Sequence, residues 1–144
     1  MRRVVVTGVG LVSSLGTGVE KTWEALLKGE TGIKLIESFD TEDLAVKMAG
    51  VVDDFNPEDF GIDKKELKKL ARFSQFGIAA SKMALDDSGL IIDENNAERI
   101  GVIVSSGIGG LDVFEEQHIN LVDKGAKRVS AFTIPAMIAN MSSG

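Results

Sequence analysis

The chain has 144 residues, 44% of them apolar, with 16 Lys or Arg against 22 Asp or Glu and a formal charge of −6. That size can enclose a core, while the acidic balance argues against general nucleic-acid binding, which shows as a basic domain. With no cysteine and one histidine, His118, there is no disulfide framework, no thiolate nucleophile and almost nothing for a metal site or a catalytic triad.

Residues 3–7 are a short β-branched run ended by Gly8, the pattern of a buried strand. Its apolar part, Val4-Val5-Val6, is too short for the hydrophobic region of a signal peptide, and no stretch approaches the roughly eighteen apolar residues of a membrane span. The chain therefore reads as soluble and cytoplasmic. Thr17-Gly18-Val19-Glu20 has the form of a capping box. Val19, Trp23, Leu26 and Leu27 then recur at helical spacing, which predicts an amphipathic helix stopping near Gly29. Residues 46–52 read as a strand interrupted by Gly50, and Phe55-Asn56-Pro57-Glu58-Asp59 as a turn. A long helix is predicted over 64–88 with Gly89 just past its end. Leu67, Leu70, Ala71 and Phe73 open its apolar face, and Gly77, Ala79, Ala80 and Ser81 give it a slim middle suited to close packing.

Residues 100–105, nearly continuous in apolar side chains, read as a strand buried on both faces. The turn Ser106-Gly107-Ile108-Gly109-Gly110 follows, then a helix over 111–122 closed by Gly125. Thr133-Ile134-Pro135 begins a last helix, with Pro135 in its first turn. Strands alternating with helices indicate an α/β fold with a largely parallel sheet. Two or three strands make that sheet thin, so the expectation is one part of a larger architecture.

Several motifs carry competing readings. Thr7-Gly8-Val9-Gly10 after a strand invites a dinucleotide fingerprint, but Ser13 stands at its third glycine position and the helix begins too late for a phosphate turn. The alternative is a tight backbone turn. Ser105-Ser106-Gly107 lacks the Gly-x-Ser-x-Gly of a nucleophile elbow. His118, beside Glu115 and Glu116, reads as a surface or hydrogen-bonded residue. Gly107-Ile108-Gly109-Gly110 reads as a place where a ligand or another backbone comes close, or as a plain packing turn. Five of the sixteen basic residues fall between Lys64 and Arg72. On the predicted helix Lys64 and Lys68, and Lys65 and Lys69, stack on one face, where like charges repel, at the positive end of the macrodipole. The run is either a solvated lysine face or a docking patch for an acidic or phosphorylated partner. A free-standing binding module for a nucleotide or an acidic protein is the rival to an enzyme part.

Taken in order, several segments resemble the N-terminal part of the β-ketoacyl-acyl-carrier-protein synthase II family, the elongating condensing enzymes of fatty-acid synthesis. They are Arg2-Arg3-Val4-Val5-Val6-Thr7-Gly8-Val9-Gly10, Thr22-Trp23-Glu24-Ala25-Leu26-Leu27, Gly32-Ile33 with Phe39-Asp40-Thr41, and Ile100-Gly101 with residues 105–111. Phe132, Ile134-Pro135 and Asn140-Met141 complete the series. The resemblance implies a thiolase-like α/β fold, of which residues 1–144 are the opening portion of the first half. It also implies a decarboxylative Claisen condensation on a cysteine and two histidines that lie beyond Gly144, so that this stretch alone is inactive. A homologue without the nucleophile, a chain-length factor, has the same opening. By resemblance Lys65, Lys68 and Lys69 dock the acyl carrier protein. Gly107 and Ile108 shape the floor of the acyl pocket, and Phe132 and Thr133 lie on a segment that crosses a homodimer interface to line the partner subunit's tunnel. Ala131 and Thr133 depart from the family's Pro-Phe-Phe pattern there. No metal or resident cofactor is implied, the substrates riding on the carrier's phosphopantetheine.

Overall fold

The computed structural model describes residues 2–144. The chain forms two compact units, Met1–Asn56 with Ala80–Gly89, and Pro57–Ala79 with Leu90–Gly144.

In the first unit Val12–Ser13 (β1) pairs antiparallel with Gly16–Thr17 (β2), and Ile33–Leu35 (β3) with Met48–Gly50 (β4), Ile33 standing opposite Gly50. The predicted strand near Gly50 is thus present but short, and its partner is a strand the sequence pattern did not announce. Helix α1 spans Val19–Leu27 and runs out at Gly29, whose φ of 69° suits only glycine well. The capping box is not made. Gly18 is the cap residue without a side-chain bond, and Thr17 Oγ1 donates instead to Asp54 Oδ1 at 3.3 Å. The helix also faces the other way from expectation. Thr22 and Ala25 are buried, whereas Val19, Leu26, Leu27 and Trp23 (59% exposed) point outward. Thr22 explains this orientation, because its hydroxyl donates to the Gly16 carbonyl at 3.1 Å and shares a hydrogen bond with Ser13 Oγ at 3.0 Å. Those bonds seat the small face of α1 on the β1–β2 hairpin.

Residues 3–7 form no strand, and Val4 is 95% exposed. β-Branched residues favour extended backbone, but a ladder also needs a partner edge, and none of the described residues supplies one. The following glycines are tightly packed. A Cβ on Gly10 would stand 1.9 Å from the Ala80 carbonyl oxygen, and one on Gly8 2.1 Å from that of Ala84. The loop therefore lies directly on helix backbone, with the Val9 N–H donating to Asp87 Oδ2 at 2.8 Å. No phosphate fits where Ala80 and Ala84 already sit, so the tight-turn reading replaces the dinucleotide one.

Helix α2, Arg72–Ser88, contributes its first half to the second unit and its last residues to the first. Its slim middle is as expected: Ala79 is fully buried, and in the second unit a Cβ on Gly77 would meet Val104 at 2.9 Å. Its end also agrees, Gly89 taking φ 63°. Helix α3, Leu111–Lys124, closes at Gly125 and packs on the short helix α4, Thr133–Met137. Ile62, Ala71, Ser74, Ala79 and Ala136 are buried, and Ser74 Oγ meets Ser142 Oγ at 3.1 Å. Residues 100–105 join no ladder, with Ile103 96% exposed. The Val104 backbone N–H and carbonyl are each satisfied at 2.8 Å by the Ser143 hydroxyl. Among the described residues both sheets are two-stranded and antiparallel, so the expected parallel sheet is not assembled.

Candidate functional site

The lysine run does not begin the long helix. Asp63 Oδ1 accepts the N–H groups of Lys65 (2.7 Å) and Glu66 (2.9 Å), and Glu66 Oε2 accepts the Asp63 N–H at 3.3 Å. This reciprocal capping closes a single turn that continues as a 3-10 turn, Leu67–Lys69. Leu70 then goes extended, with φ −116° and ψ 121°. The chain restarts at Ala71, whose carbonyl takes the N–H groups of Ser74 and Gln75 while the Gln75 side-chain amide donates to the Leu70 carbonyl. Asp63 and Glu66 thus start the lysine-bearing turn, and the extended backbone at Leu70 separates it from α2. The lysines consequently do not stack four apart on one helix face, and the repulsion and macrodipole penalty expected of them do not arise.

Each lysine of the turn has a different surrounding. Lys64 pairs with Glu58 at 3.4 Å. Lys69 places its ammonium 5.2 Å from the centroid of the Phe132 ring, within cation–π range. Lys65 and Lys68 are exposed, and among the described residues neither forms an ion pair. Lys68 lines a cleft of about 410 Å³ together with Phe132, Thr133 and, from α3, Asp112 and Glu116. The lining thus carries both basic (Lys68, Arg72) and acidic (Asp112, Glu116) groups. The segment holding Phe132 is fixed from α3: the Ser130 N–H donates to Gln117 Oε1 at 2.8 Å, and the Phe132 N–H to Ser130 Oγ at 3.1 Å.

Lys68, Lys69, Phe132 and Thr133, selected from separate parts of the sequence, therefore come together. Lys65 lies on the same turn but outside the cleft lining. Gly107 and Ile108 stand apart from it: Ile108 is 73% exposed, and a Cβ on Gly107 would meet nothing within 4 Å. In the same loop Gly109 and Gly110 press on α4, the Gly110 N–H donating to the Met137 carbonyl at 2.8 Å. Of the two readings of this loop, its second half realises the close approach of another backbone. Sequence reasoning took Arg72 only as the end of the basic run and missed Asp112, Glu116 and Gln117. The available signal is periodic: Arg72 with Gln75, and Asp112 with Glu116, recur at helical spacing, with Gln117 beside the second pair. His118 stacks on Phe114 one turn away, with ring centroids 6.2 Å apart and planes 9° from parallel. No helix among the described residues is long and apolar enough to cross a membrane.

These features define a class before they define a family. The architecture is shared with ketosynthases of the thiolase-like fold. The ishigamide ketosynthase/chain length factor matches over 92% of this chain and 33% of its own, with a TM-score of 0.74 and 31% identity. A type II polyketide ketosynthase, solved bound to the hexaketide and in complex with its acyl-carrier protein, matches over 97% of this chain and 37% of its own, at TM-score 0.76 and 26% identity. The family model of the β-ketoacyl synthase N-terminal domain matches residues 1–144, and the chain belongs to that family. Similar curated relatives include the 3-oxoacyl-(acyl-carrier-protein) synthase 2 of Vibrio harveyi, 50% identical over 143 residues, and that of Staphylococcus aureus strain COL, 48% identical. The match covers 99% of this chain and 34% of either relative, so the chain spans about a third of their length.

Proposed function

We propose that the chain is the carrier-docking and pocket-forming portion of a 3-oxoacyl-acyl-carrier-protein synthase acting in fatty-acid elongation. In that reaction an acyl group passes from its carrier's thioester to a cysteine thiolate. A malonyl thioester then loses carbon dioxide, and the resulting carbanion attacks the acyl-enzyme and expels the thiolate. This chain has no cysteine to serve as that nucleophile, so its own part is recognition. The observation that carries the reading is the convergence of Lys68 with Phe132 and Thr133 at one cleft, with Lys69 over the Phe132 ring. Lys65, Lys68 and Lys69 are the docking charges for an acidic carrier protein, raising the rate of productive encounter. Phe132 and Thr133, and separately Gly107 and Ile108, shape the acyl tunnel, the former pair across a homodimer interface. No resident cofactor is needed, because the substrates arrive on the carrier's phosphopantetheine.

The test is steady-state kinetics of the full-length protein with Lys65, Lys68 and Lys69 all changed to Glu. KM for the acyl-carrier substrate should rise by roughly ten- to a hundredfold, while turnover of a small acyl thioester without a carrier changes far less. An unaltered KM for the carrier substrate would refute the docking surface. A chain-length-factor reading is favoured specifically by the 31% identity to a ketosynthase/chain length factor. Mass spectrometry separates the two, since only the enzyme acquires a covalent acyl group from acyl-carrier substrate.

A further inference from the structure

The three docking lysines are not equivalent. Lys65 and Lys68 project without an ion pair among the described residues, while Lys69 holds its ammonium 5.2 Å from the centre of the Phe132 ring. Both backbones beneath that contact are fixed. The Lys69 N–H donates to the Glu66 carbonyl at 2.8 Å within the turn closed by Asp63. On the other side Ser130 receives the Phe132 N–H and, through its own carbonyl, the Thr133 hydroxyl at 2.6 Å. What remains free is a flexible lysine stem and the χ angles of a half-exposed ring.

We propose that Lys69 is a positioning residue that couples docking of an anionic carrier at the 65–69 turn to the rotamer of Phe132. The inference rests on the docking reading above and adds to it a link from carrier to tunnel. An aromatic face offers an ammonium only a quadrupole, whereas a partner's carboxylate or phosphate offers a full charge and a charge-assisted hydrogen bond. An anion first held by the unpaired Lys65 and Lys68 therefore draws Lys69 off the ring. Phe132 loses the cation that held it toward the turn and is free to change rotamer in the tunnel. Linkage makes the effect reciprocal: an acyl chain that displaces the ring releases Lys69 and strengthens carrier binding.

The experiment uses full-length protein carrying 4-fluorophenylalanine at position 132, observed by fluorine NMR during titration with phosphopantetheine-bearing acyl carrier protein. In the wild type the resonance should move as carrier saturates. Lys69→Met should move it with no carrier present, and carrier binding, weakened about two- to fivefold, should then leave it in place. Lys65→Met should weaken binding similarly yet keep the carrier-induced shift, and Lys69→Arg should keep both features. A wild-type resonance that stays fixed at saturation overturns the coupling while leaving docking intact, as does a Lys65→Met variant that behaves like Lys69→Met. Failure of the wild type to bind carrier at all removes docking, and the coupling with it, whatever Lys69→Met does to the carrier-free spectrum.

Discussion

Gly8 and Gly10 in the first unit both lie flat against helix backbone, whereas in the second unit the residues 107–110 divide their labour. Gly109 and Gly110 are clamped on α4, and Gly107 and Ile108 are left open. Both loops follow β-branched runs and both look like places where a ligand approaches a glycine. The difference is what a Cβ would strike. In the first loop a Cβ on either glycine would come within about 2 Å of a carbonyl oxygen of α2, so its glycines serve packing. In the second, packing is confined to one half, and the exposed half is available to shape a pocket. In these two loops a Cβ is excluded wherever a glycine packs on helix backbone and is admitted only at Gly107.

The strongest test of that division is Gly109→Ala against Gly107→Ala in the full-length protein. Gly109 has φ 85°, and a Cβ there would lie 2.2 Å from the Met137 carbonyl oxygen. The left-handed backbone penalty of about 1–2 kcal/mol and overpacking of about 1–3 kcal/mol should combine to lower unfolding stability substantially in urea. Gly107→Ala, with nothing within 4 Å, should remain within about 1 kcal/mol of wild type. Equal losses in the two variants would erase the distinction between a clamped and an open half. Gly10→Ala should fall between them. It carries no positive-φ penalty, but its Cβ would meet the Ala80 oxygen at 1.9 Å, and a carbonyl inside a helix cannot rotate away. A loss of about 1–3 kcal/mol is expected, and a neutral result would mean that residues 8–10 do not press on α2.

The same comparison shows what the sequence could and could not convey. Helix ends were legible because Gly29, Gly89 and Gly125 each take a positive φ that other residues resist. So was the slim middle of α2, since small residues at helical spacing have few other uses. The strands expected at 3–7 and 100–105 were not, because β-branched residues specify extended backbone while pairing is a property of a neighbour. The face of α1 was misread because hydroxyl bonds from Thr22 outweighed the pull of Val19 and Trp23 toward a core. The separation of the lysine turn from α2 was not legible, because Leu70, where the backbone goes extended, continues the apolar helical spacing of Leu67 and Ala71. Lys68, Lys69, Phe132 and Thr133 were each legible singly. Their meeting was not, because more than sixty residues separate the lysines from the ring.

The smallest expected effect sharpens the contrast from the polar side of the first unit. The Asp54 carboxylate takes the Thr17 N–H at 3.2 Å and the Thr17 hydroxyl, and it pairs with the Lys21 ammonium, tying the start of α1 to residue 54. The Lys21 hydrogen bond is the main cause holding its pKa below the usual carboxylate value, partial burial opposing it. A depressed folded pKa means the contribution is complete above the unfolded value near about pH 4, and is lost as pH falls through the lower folded value. Solvent reaches both partners, so the contribution should not exceed about 1 kcal/mol and should weaken with salt. The stability difference between wild type and Asp54→Asn should accordingly hold steady from pH 7 to 5 and shrink toward pH 3. A difference that persists at pH 3 would show that hydrogen bonding to Thr17, which asparagine makes poorly at any pH, outweighs the charge.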